Sequence, residues 1–298
     1  MLRIFIKFWF LIGFLVSGFE PNMAQLPTTE IYRIRINNIV DSSWNFDQIL
    51  LLSGNNPGAY NNQVYPLSAD HFLATVQLRG SDQTDIYEFD LDELSIRNLS
   101  NSPHSEYSPR IHPQIKDLIT VVRVPEADTI TQSLVGINKI NQNKPIDLLS
   151  HHGKIGYYRF FSEKKWVCFI VDESNLLAFC NEDNEVRKVF ASHIGRSFEV
   201  KNGMIYFVHK ILDSKWILKK YDPITERAEI LADMPSGTED FYLTNTNQII
   251  CGNGQTFYLL NPVEHRWVKT LSLPYPQIKQ INRIAGFGDY LFFVNVLE

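Results

Sequence analysis

The chain has 298 residues, of which 28 are Lys or Arg and 33 are Asp or Glu, and its formal net charge is −5. Binding to nucleic-acid phosphates depends on clustered lysine and arginine, so this composition argues against a nucleic-acid partner. The hydrophobic fraction of 44% and the charged fraction of 20% are ordinary for a folded globular protein.

The first residues follow the order of a secretory signal peptide. A short basic start is followed by the apolar run F-W-F-L-I-G-F-L-V-S-G-F, from Phe8 to Phe19, and then by small and polar residues. Such a run is short for a bilayer span. Cleavage after Ala24 is predicted, which makes 1–24 the signal peptide and 25–298 one mature domain; an uncleaved membrane anchor is the alternative. We therefore expect a periplasmic or secreted protein without a membrane span after cleavage.

Beyond this segment the sequence is a succession of short runs rich in β-branched and aromatic residues. The runs include H-F-L-A-T-V-Q-L, D-L-I-T-V-V-R-V and M-I-Y-F-V-H-K, and turn-forming residues separate them. This pattern predicts strands, and many such strands at regular spacing predict an all-β repeat. In chain order, units of four strands begin near Asn61, Glu106, Gly156, Ser197, Glu239 and Gln280. A four-stranded unit of about 40 to 45 residues is typical of a propeller blade.

The two ends of the chain complete one another. From Gln280 onward the sequence has room for two strands only, whereas Thr29 to Ile36 and Asp47 to Gly54 form two spare strands near the beginning. Joining them gives a complete blade and covers strand edges that would otherwise be exposed to aggregation. The prediction is an all-β, six-bladed β-propeller whose closing blade is shared between N-terminal and C-terminal strands.

The cysteines indicate neither a disulfide framework nor a zinc site. Cys168, Cys180 and Cys251 form an odd number at irregular spacing. Cys168 and Cys180 fall in neighbouring strand-like runs, so that pairing across strands and buried free thiols both stay open, with free thiols preferred.

One repeat resembles a known family. Asn98 to Val124 reads N-L-S-N-S-P-H-S-E-Y-S-P-R-I-H-P-Q-I-K-D-L-I-T-V-V-R-V, which is similar to the repeat of bacterial TolB-type propellers. Weaker matches recur in the later units, and together they resemble exported TolB-like proteins of Bacteroidetes-type bacteria. The turn S-P-D-G-K of that repeat stands here as H-P-Q-I-K, which indicates a looser turn. The resemblance implies a propeller that binds a protein partner.

The first strand of each blade lines the channel of a propeller, so equivalent positions at its beginning are candidates for a ligand site. These tentative ligand-binding residues carry charges of both signs, which suits a polar ligand or a peptide terminus, although pairing among themselves would tie the blades together instead. They are Glu106, Tyr107, Tyr157, Arg196, Ser197, Glu239, Asp240 and Arg283.

No catalytic motif accompanies these candidates. There is no G-x-S-x-G or H-E-x-x-H sequence, and the adjacent His151 and His152 would point to opposite sides of an extended chain, as expected of a solvated loop between blades. The favoured hypothesis is a non-enzymatic propeller that binds or scaffolds a protein or peptide partner in the cell envelope, without a cofactor. The alternative is a channel-site hydrolase or lactonase with a divalent cation on Glu106, Glu239 and Asp240.

Overall fold

The computed structural model describes residues 26–40, 43–126, 131–141, 144–182 and 184–297. The predicted signal peptide lies outside these residues. Within the described ranges there is no helix of the length and apolarity that crossing a membrane requires.

The described chain forms six antiparallel sheets of four strands each, arranged in a ring. In chain order, β1 (Thr29–Val40) and β2 (Ser43–Leu51) come first. Blade 1 consists of β3 (Tyr60–Pro66), β4 (His71–Gln77), β5 (Asp85–Asp90) and β6 (Ser95–Asn98). Blade 2 consists of β7 (Ser105–Ile111), β8 (Leu118–Val124), β9 (Ser133–Asn138) and β10 (Ile146–Leu149). Blade 3 consists of β11 (Ile155–Ser162), β12 (Lys165–Ile170), β13 (Leu176–Asn181) and β14 (Asn184–Ser192).

Blade 4 consists of β15 (Ile194–Lys201), β16 (Met204–Leu212), β17 (Lys215–Asp222) and β18 (Arg227–Asp233). Blade 5 consists of β19 (Phe241–Leu243), β20 (Ile249–Asn253), β21 (Thr256–Asn261) and β22 (Arg266–Ser272). The last strands are β23 (Gln280–Phe287) and β24 (Tyr290–Val296). The predicted six-bladed propeller is confirmed, and each predicted unit begins in or within two residues of an innermost strand.

Blade 6 is the predicted composite blade. Its strand order is β2-β1-β24-β23, so the C-terminal strands are innermost and the N-terminal strands are outermost. β1 and β24 pair antiparallel without a register shift, from Thr29 opposite Val296 to Arg35 opposite Tyr290. The backbone hydrogen bonds of this ladder close the ring, so the first and last blades in the ring are joined through a sheet that contains both β1 and β24.

The hydrophobic core is divided among the interfaces between blades. Six clusters of buried apolar side chains occupy the six interfaces, one at each. β24 shows how one strand serves two interfaces, because Leu291 and Phe293 pack toward blade 5 while Phe292 and Val294 pack toward blade 1. Alternate side chains of a strand point to opposite faces, and both faces of a blade are covered. The second strands are therefore apolar almost throughout.

Side chains cap the turns that connect the strands. Asp90, Asn138, Asp222 and Asn261 each follow or end the third strand of a blade, and each accepts backbone N–H bonds from the turn that follows. In blade 2 the buried His112 caps the turn between β7 and β8. Its Nδ1 accepts hydrogen bonds from the N–H groups of Gln114 and Ile115. These caps satisfy turn donors where an Asp-Gly turn is absent.

Candidate functional site

The innermost strands are irregular where they line the channel. Gln63 in β3, Ser108 in β7 and Arg283 in β23 have φ values of 52°, 56° and 46°, and the ladder to the second strand shifts register at each of these points. Non-glycine residues rarely take positive φ, and a bulge re-aims the side chains beside it. The kinks therefore separate the upper part of the channel, where these strands begin, from the lower part, where they end.

Two of the predicted residues meet across the channel. Arg283 of blade 6 donates from Nη2 to the hydroxyl oxygen of Tyr157 of blade 3, at 2.7 Å. The Arg283 guanidinium also lies over the Tyr157 ring, with Cζ 4.7 Å from the ring centroid. Blades 3 and 6 are diametrically opposite in a ring of six, so this contact spans the channel at its middle.

Two further predicted residues join the same group. Arg196 of blade 4 donates from Nη2 to Asp240 Oδ2 at 2.6 Å and to Asn282 Oδ1 at 3.0 Å, and Asp240 Oδ1 lies 3.8 Å from Arg283 Nε. We call Tyr157, Arg196, Asp240 and Arg283 the waist cluster. It connects blades 3, 4, 5 and 6 by contacts between side chains.

The pKa values within the waist cluster describe ionised groups that stabilise one another, with two arginines sharing one aspartate. Burial alone would raise the pKa of the Asp240 carboxyl, but the charges of Arg283 and Arg196 outweigh it and hold that pKa below its ordinary value. Burial opposes the charge of Arg196 as well, yet Asp240 raises the pKa of its guanidinium. Asp240 is thus an ionised, buried counter-ion. Its pKa is lowered, whereas a carboxyl that acts as a general acid requires a raised pKa.

Glu239 and Ser197 lie beside the waist cluster and are engaged in contacts between blades. Glu239 Oε1 accepts from the backbone N–H of Arg196 and lies 3.2 Å from Lys210 Nζ. A Cβ on Gly195 would come within 2.9 Å of that same oxygen, which explains the glycine at this position. Ser197 Oγ accepts from the N–H of Phe241 at 3.3 Å. Both side chains hold blade 5 against blade 4.

Glu106 and Tyr107, although adjacent, have different surroundings. The Glu106 side chain is fully buried and away from the channel, where its Oε1 accepts from Arg123 Nε at 2.8 Å and from Ser102 Oγ at 2.6 Å. Burial raises the pKa of this carboxyl more than the hydrogen bond from Ser102 and the charge of Arg123 lower it. Its Oε2 has no hydrogen-bond partner among the described residues. Tyr107 instead lines the channel. Adjacent side chains of a strand point to opposite faces, so only one of the two could face the channel, and the sequence did not indicate which.

The upper part of the channel opens into a wide cavity. This upper cavity has a volume of about 1370 Å³, and tyrosines of three successive blades line it: Tyr60, Tyr107 and Tyr157. Burial raises the pKa of Tyr60, and the neighbouring phenols of Tyr157 and Tyr107 add to that effect. The turns between second and third strands, including 79–83, form its rim. The cavity is therefore aromatic at its base and polar at its edge.

The lower part of the channel holds a second cavity of about 520 Å³. Arg110, Arg159 and Glu199 line it, each two or three residues beyond a predicted candidate on the same strand. Arg159 forms a two-pronged pair with Glu199, Nε to Oε2 at 2.9 Å and Nη2 to Oε1 at 2.8 Å. Sequence reasoning missed these residues, although an ionisable side chain at this position in three successive innermost strands is a visible signal. Tyr157 and Gln63 line both cavities, which places the waist cluster between them.

The remaining histidine and cysteine candidates have structural surroundings. His151 is exposed, whereas His152 is buried and its Nε2 lies 3.1 Å from the carbonyl oxygen of Asn181, so the loop is solvated only in part. Cys168, Cys180 and Cys251 are all buried free thiols, as preferred from the sequence.

The acids that a metal would need are not assembled. Across the described ranges, no three His, Cys, Asp or Glu side chains form a group that could hold a metal ion. Glu106, Glu239 and Asp240 are accordingly not brought into one ligand set, and each has its own cationic partner.

Comparison with solved structures identifies the same fold in proteins of different function. The chain is similar to a protein from Agrobacterium tumefaciens assigned as a TolB, with a TM-score of 0.62 and 9% identity, over 92% of this chain and 99% of that one. It is similar to TolB from Acinetobacter baumannii, with a TM-score of 0.56 and 11% identity, over 89% of this chain and 63% of that one.

An enzyme shares the fold as well. An oligogalacturonate lyase, solved in complex with manganese, has a TM-score of 0.57 and 12% identity, over 86% of this chain and 84% of the lyase. No protein-family profile matches the chain, and no curated protein sequence matches it. At these identities the similarity establishes the TolB-like propeller fold, and function has to be argued from the site.

Proposed function

We propose that this protein is an exported, non-enzymatic propeller of the TolB-like type, periplasmic or secreted, that binds or scaffolds a protein or peptide partner in the cell envelope. The export part of the proposal rests on the basic and apolar start of the sequence. The resemblance to the TolB repeat of Bacteroidetes-type proteins supports a protein partner. The observation that carries the proposal is the contact of Arg283 with Tyr157.

That contact changes what the channel can do. Because the waist cluster spans the middle of the channel, the upper cavity ends there, and the charged groups of the cluster are engaged with one another. A cavity of about 1370 Å³ is larger than the pockets of roughly 300 to 1,000 Å³ that hold small molecules. Tyrosine is enriched at protein interfaces, since it presents a large apolar ring with a hydrogen-bonding end. The upper cavity thus suits a peptide segment of a partner.

Photo-crosslinking in cells tests the proposal directly. A benzophenone amino acid at Gln83, on the rim of the upper cavity, is expected to give an adduct of defined mass with an envelope protein. The same amino acid at Ile230, which is 54% exposed on the outermost strand of blade 4, is the matched control. Tyr107→Ala in the Gln83 background should weaken the adduct. No adduct at Gln83, or equal adducts at both positions, would exclude a partner at this face.

The enzyme alternative, a channel-site hydrolase or lactonase that uses a divalent cation, makes a different prediction. Calcium or zinc would then stay bound through purification and be lost in Glu239→Gln. The binding proposal instead expects no stoichiometric metal and no shift of the unfolding temperature on adding either cation. Elemental analysis and thermal unfolding of the same preparations distinguish the two.

A further inference from the structure

The lower cavity has an excess of positive charge. Its charged lining residues are three arginines and two acids: Arg110, Arg159, Arg283, Glu199 and Asp240. Arg159 is neutralised by Glu199, and Arg283 is near Asp240. Asp240 is shared with Arg196, which stands just outside the cavity. Each acid thus lies closest to another arginine, and among the described residues one guanidinium of the cavity has neither a counter-ion of its own nor a hydrogen bond.

That guanidinium belongs to Arg110. Its nearest carboxylate oxygen is Glu199 Oε1, 4.0 Å from Nη2, which is too far for a hydrogen bond, and the same oxygen already accepts from Arg159 at 2.8 Å. The side chain of Arg110 donates no hydrogen bond to any residue in the described part of the chain. Burial and the charge of Arg159 lower the pKa of Arg110, although the charge of Glu199 opposes them.

Arg110 is nevertheless held in a defined place. Its Cζ lies 5.3 Å from the centroid of the Tyr65 ring, within the range of a cation–π contact. The side chain is 23% exposed, so the guanidinium is accessible from the cavity. A planar fork of donors fixed against an aromatic ring matches a carboxylate, which accepts two parallel N–H bonds.

The rest of the cavity suits an apolar molecule of small size. Its volume of about 520 Å³ is within the range of small-molecule pockets, roughly 300 to 1,000 Å³. Apolar side chains make up much of its wall, among them Val64, Leu67, Pro109, Ile111, Ile284 and Phe287.

We propose that the lower cavity is a binding site for a small organic carboxylate, whose acid group pairs with Arg110 and whose apolar part lies against this wall. The site is separate from the upper cavity in which we place the protein partner, and the waist cluster lies between the two. It acts by binding alone, so that no covalent step is involved.

Titration calorimetry with benzoate, benzamide and inorganic phosphate tests this site on the mature protein. Benzoate is expected to bind saturably, and benzamide, its neutral counterpart, at least about tenfold more weakly, because a hydrogen bond to a charged group contributes about 1.5 to 3 kcal/mol. Equal binding of the two would show an apolar pocket without a carboxylate site and would overturn the proposal. Binding of phosphate in place of benzoate would overturn the carboxylate assignment, and so would the absence of benzoate binding.

Two variants and a control locate the site. Arg110→Gln should weaken benzoate about tenfold or more, and Arg159 still neutralises Glu199 in this variant, so the fold is expected to persist. Arg79→Gln, at an arginine of the upper cavity, should leave benzoate binding unchanged. If Arg110→Gln does not fold, Phe287→Glu provides the test, since a carboxylate on this 44% exposed side chain at the lower mouth should repel benzoate. Unchanged benzoate affinity in the folded variant, whichever of the two it is, overturns the proposal.

Discussion

Arg283 and Tyr157 come from opposite blades and meet at the middle of the channel, with a 2.7 Å hydrogen bond from the guanidinium to the phenol oxygen. The two residues are far apart in the sequence, and closure of the ring brings them together. The contact therefore reports directly on whether the propeller is closed, and it separates the two cavities to which we assign different ligands.

Removing the phenol oxygen should weaken this closure. Tyr157→Phe keeps the ring under Arg283 but loses the acceptor, and we expect a loss of about 1.5 to 3 kcal/mol in the free energy of unfolding. Urea unfolding measures it. Tyr107→Phe, on the neighbouring innermost strand, is the control and should change stability by less than about 0.5 kcal/mol. Equal effects of the two substitutions would contradict a structural role for the hydrogen bond.

Asp240 should be the more sensitive member of the waist cluster. Asp240→Asn leaves Arg196 and Arg283 without their buried counter-ion, and we expect a loss of about 3 to 5 kcal/mol. The exposed pair of Asp47 with Arg35, separated by 3.8 Å, serves for comparison, because Asp47→Asn should cost less than about 1 kcal/mol. Chemical unfolding of both variants at the same salt concentration measures the two losses in the free energy of unfolding. A small effect at Asp240 would mean that solvent reaches the waist.

Acid should weaken the contact between blades 1 and 2. Glu88 is buried, and although burial would raise its pKa, Lys139 and Arg97 lower the pKa to about 2 from an ordinary 4.5. A folded-state pKa below that of the unfolded chain stabilises the fold above about pH 4.5, and this contribution is lost as the pH falls toward about 2.

Unfolding free energies measured between pH 5 and pH 2.5 should therefore fall more steeply in the wild type than in Glu88→Gln. Glu229→Gln, which removes an exposed partner of Lys220, should retain the wild-type slope. Parallel slopes for the wild type and Glu88→Gln would contradict the assignment.

The contact between blades 5 and 6 depends on a residue without a side chain. A Cβ on Gly252 would come within 2.3 Å of Ile281 Cγ2 and 3.1 Å of the Ile281 carbonyl oxygen. Gly252→Ala should therefore destabilise the protein by about 1 to 3 kcal/mol. A Cβ on Gly54 would come no closer than 3.7 Å to another side chain, that of Leu51, so Gly54→Ala should be neutral or slightly stabilising. Thermal unfolding of the two variants gives the comparison, and the reverse order would contradict the packing.

The thiols should be inert in the folded protein. Burial raises the pKa of Cys168 and of Cys251, and both side chains are inaccessible. A chromogenic disulfide reagent is expected to detect no thiol under native conditions and all three cysteines after denaturation. Only one thiol in the denatured protein would mean that Cys168 and Cys180 had formed a disulfide.

The blades were predictable because their signals are local. An apolar run such as D-L-I-T-V-V-R-V, the turn residues around it and the spacing of such runs are all contained within one unit. The composite blade followed from the strands left over at the two ends, and the ladder of β1 with β24 confirms it. The turn caps are local as well, because Asn138 and Asp222, at the ends of third strands, accept hydrogen bonds from backbone N–H groups in the turns of their own blades.

The candidate site was predictable only in part. The register brought Tyr157, Arg196, Asp240 and Arg283 to the channel and gave mutual pairing as one of two alternatives, but it did not indicate which side chains would pair. Glu106 occupies an equivalent position and yet is turned into the interior toward Arg123. The repeat period places a residue near the start of an innermost strand, but a difference of one position turns its side chain to the opposite face, and the bulge shifts the register again further along.

The sequence by itself determined the number of blades, their order and the way in which the chain closes, since each of these depends on strands and turns that neighbouring residues specify. Only the tertiary structure decided which charges pair, where the channel is divided and that Arg110 has to share Glu199 with Arg159. Those properties depend on distances between blades, such as 2.6 Å from Arg196 to Asp240 and 4.0 Å from Arg110 to Glu199. Because charge interactions inside a protein vary steeply with separation and burial, they arise only once the ring has closed.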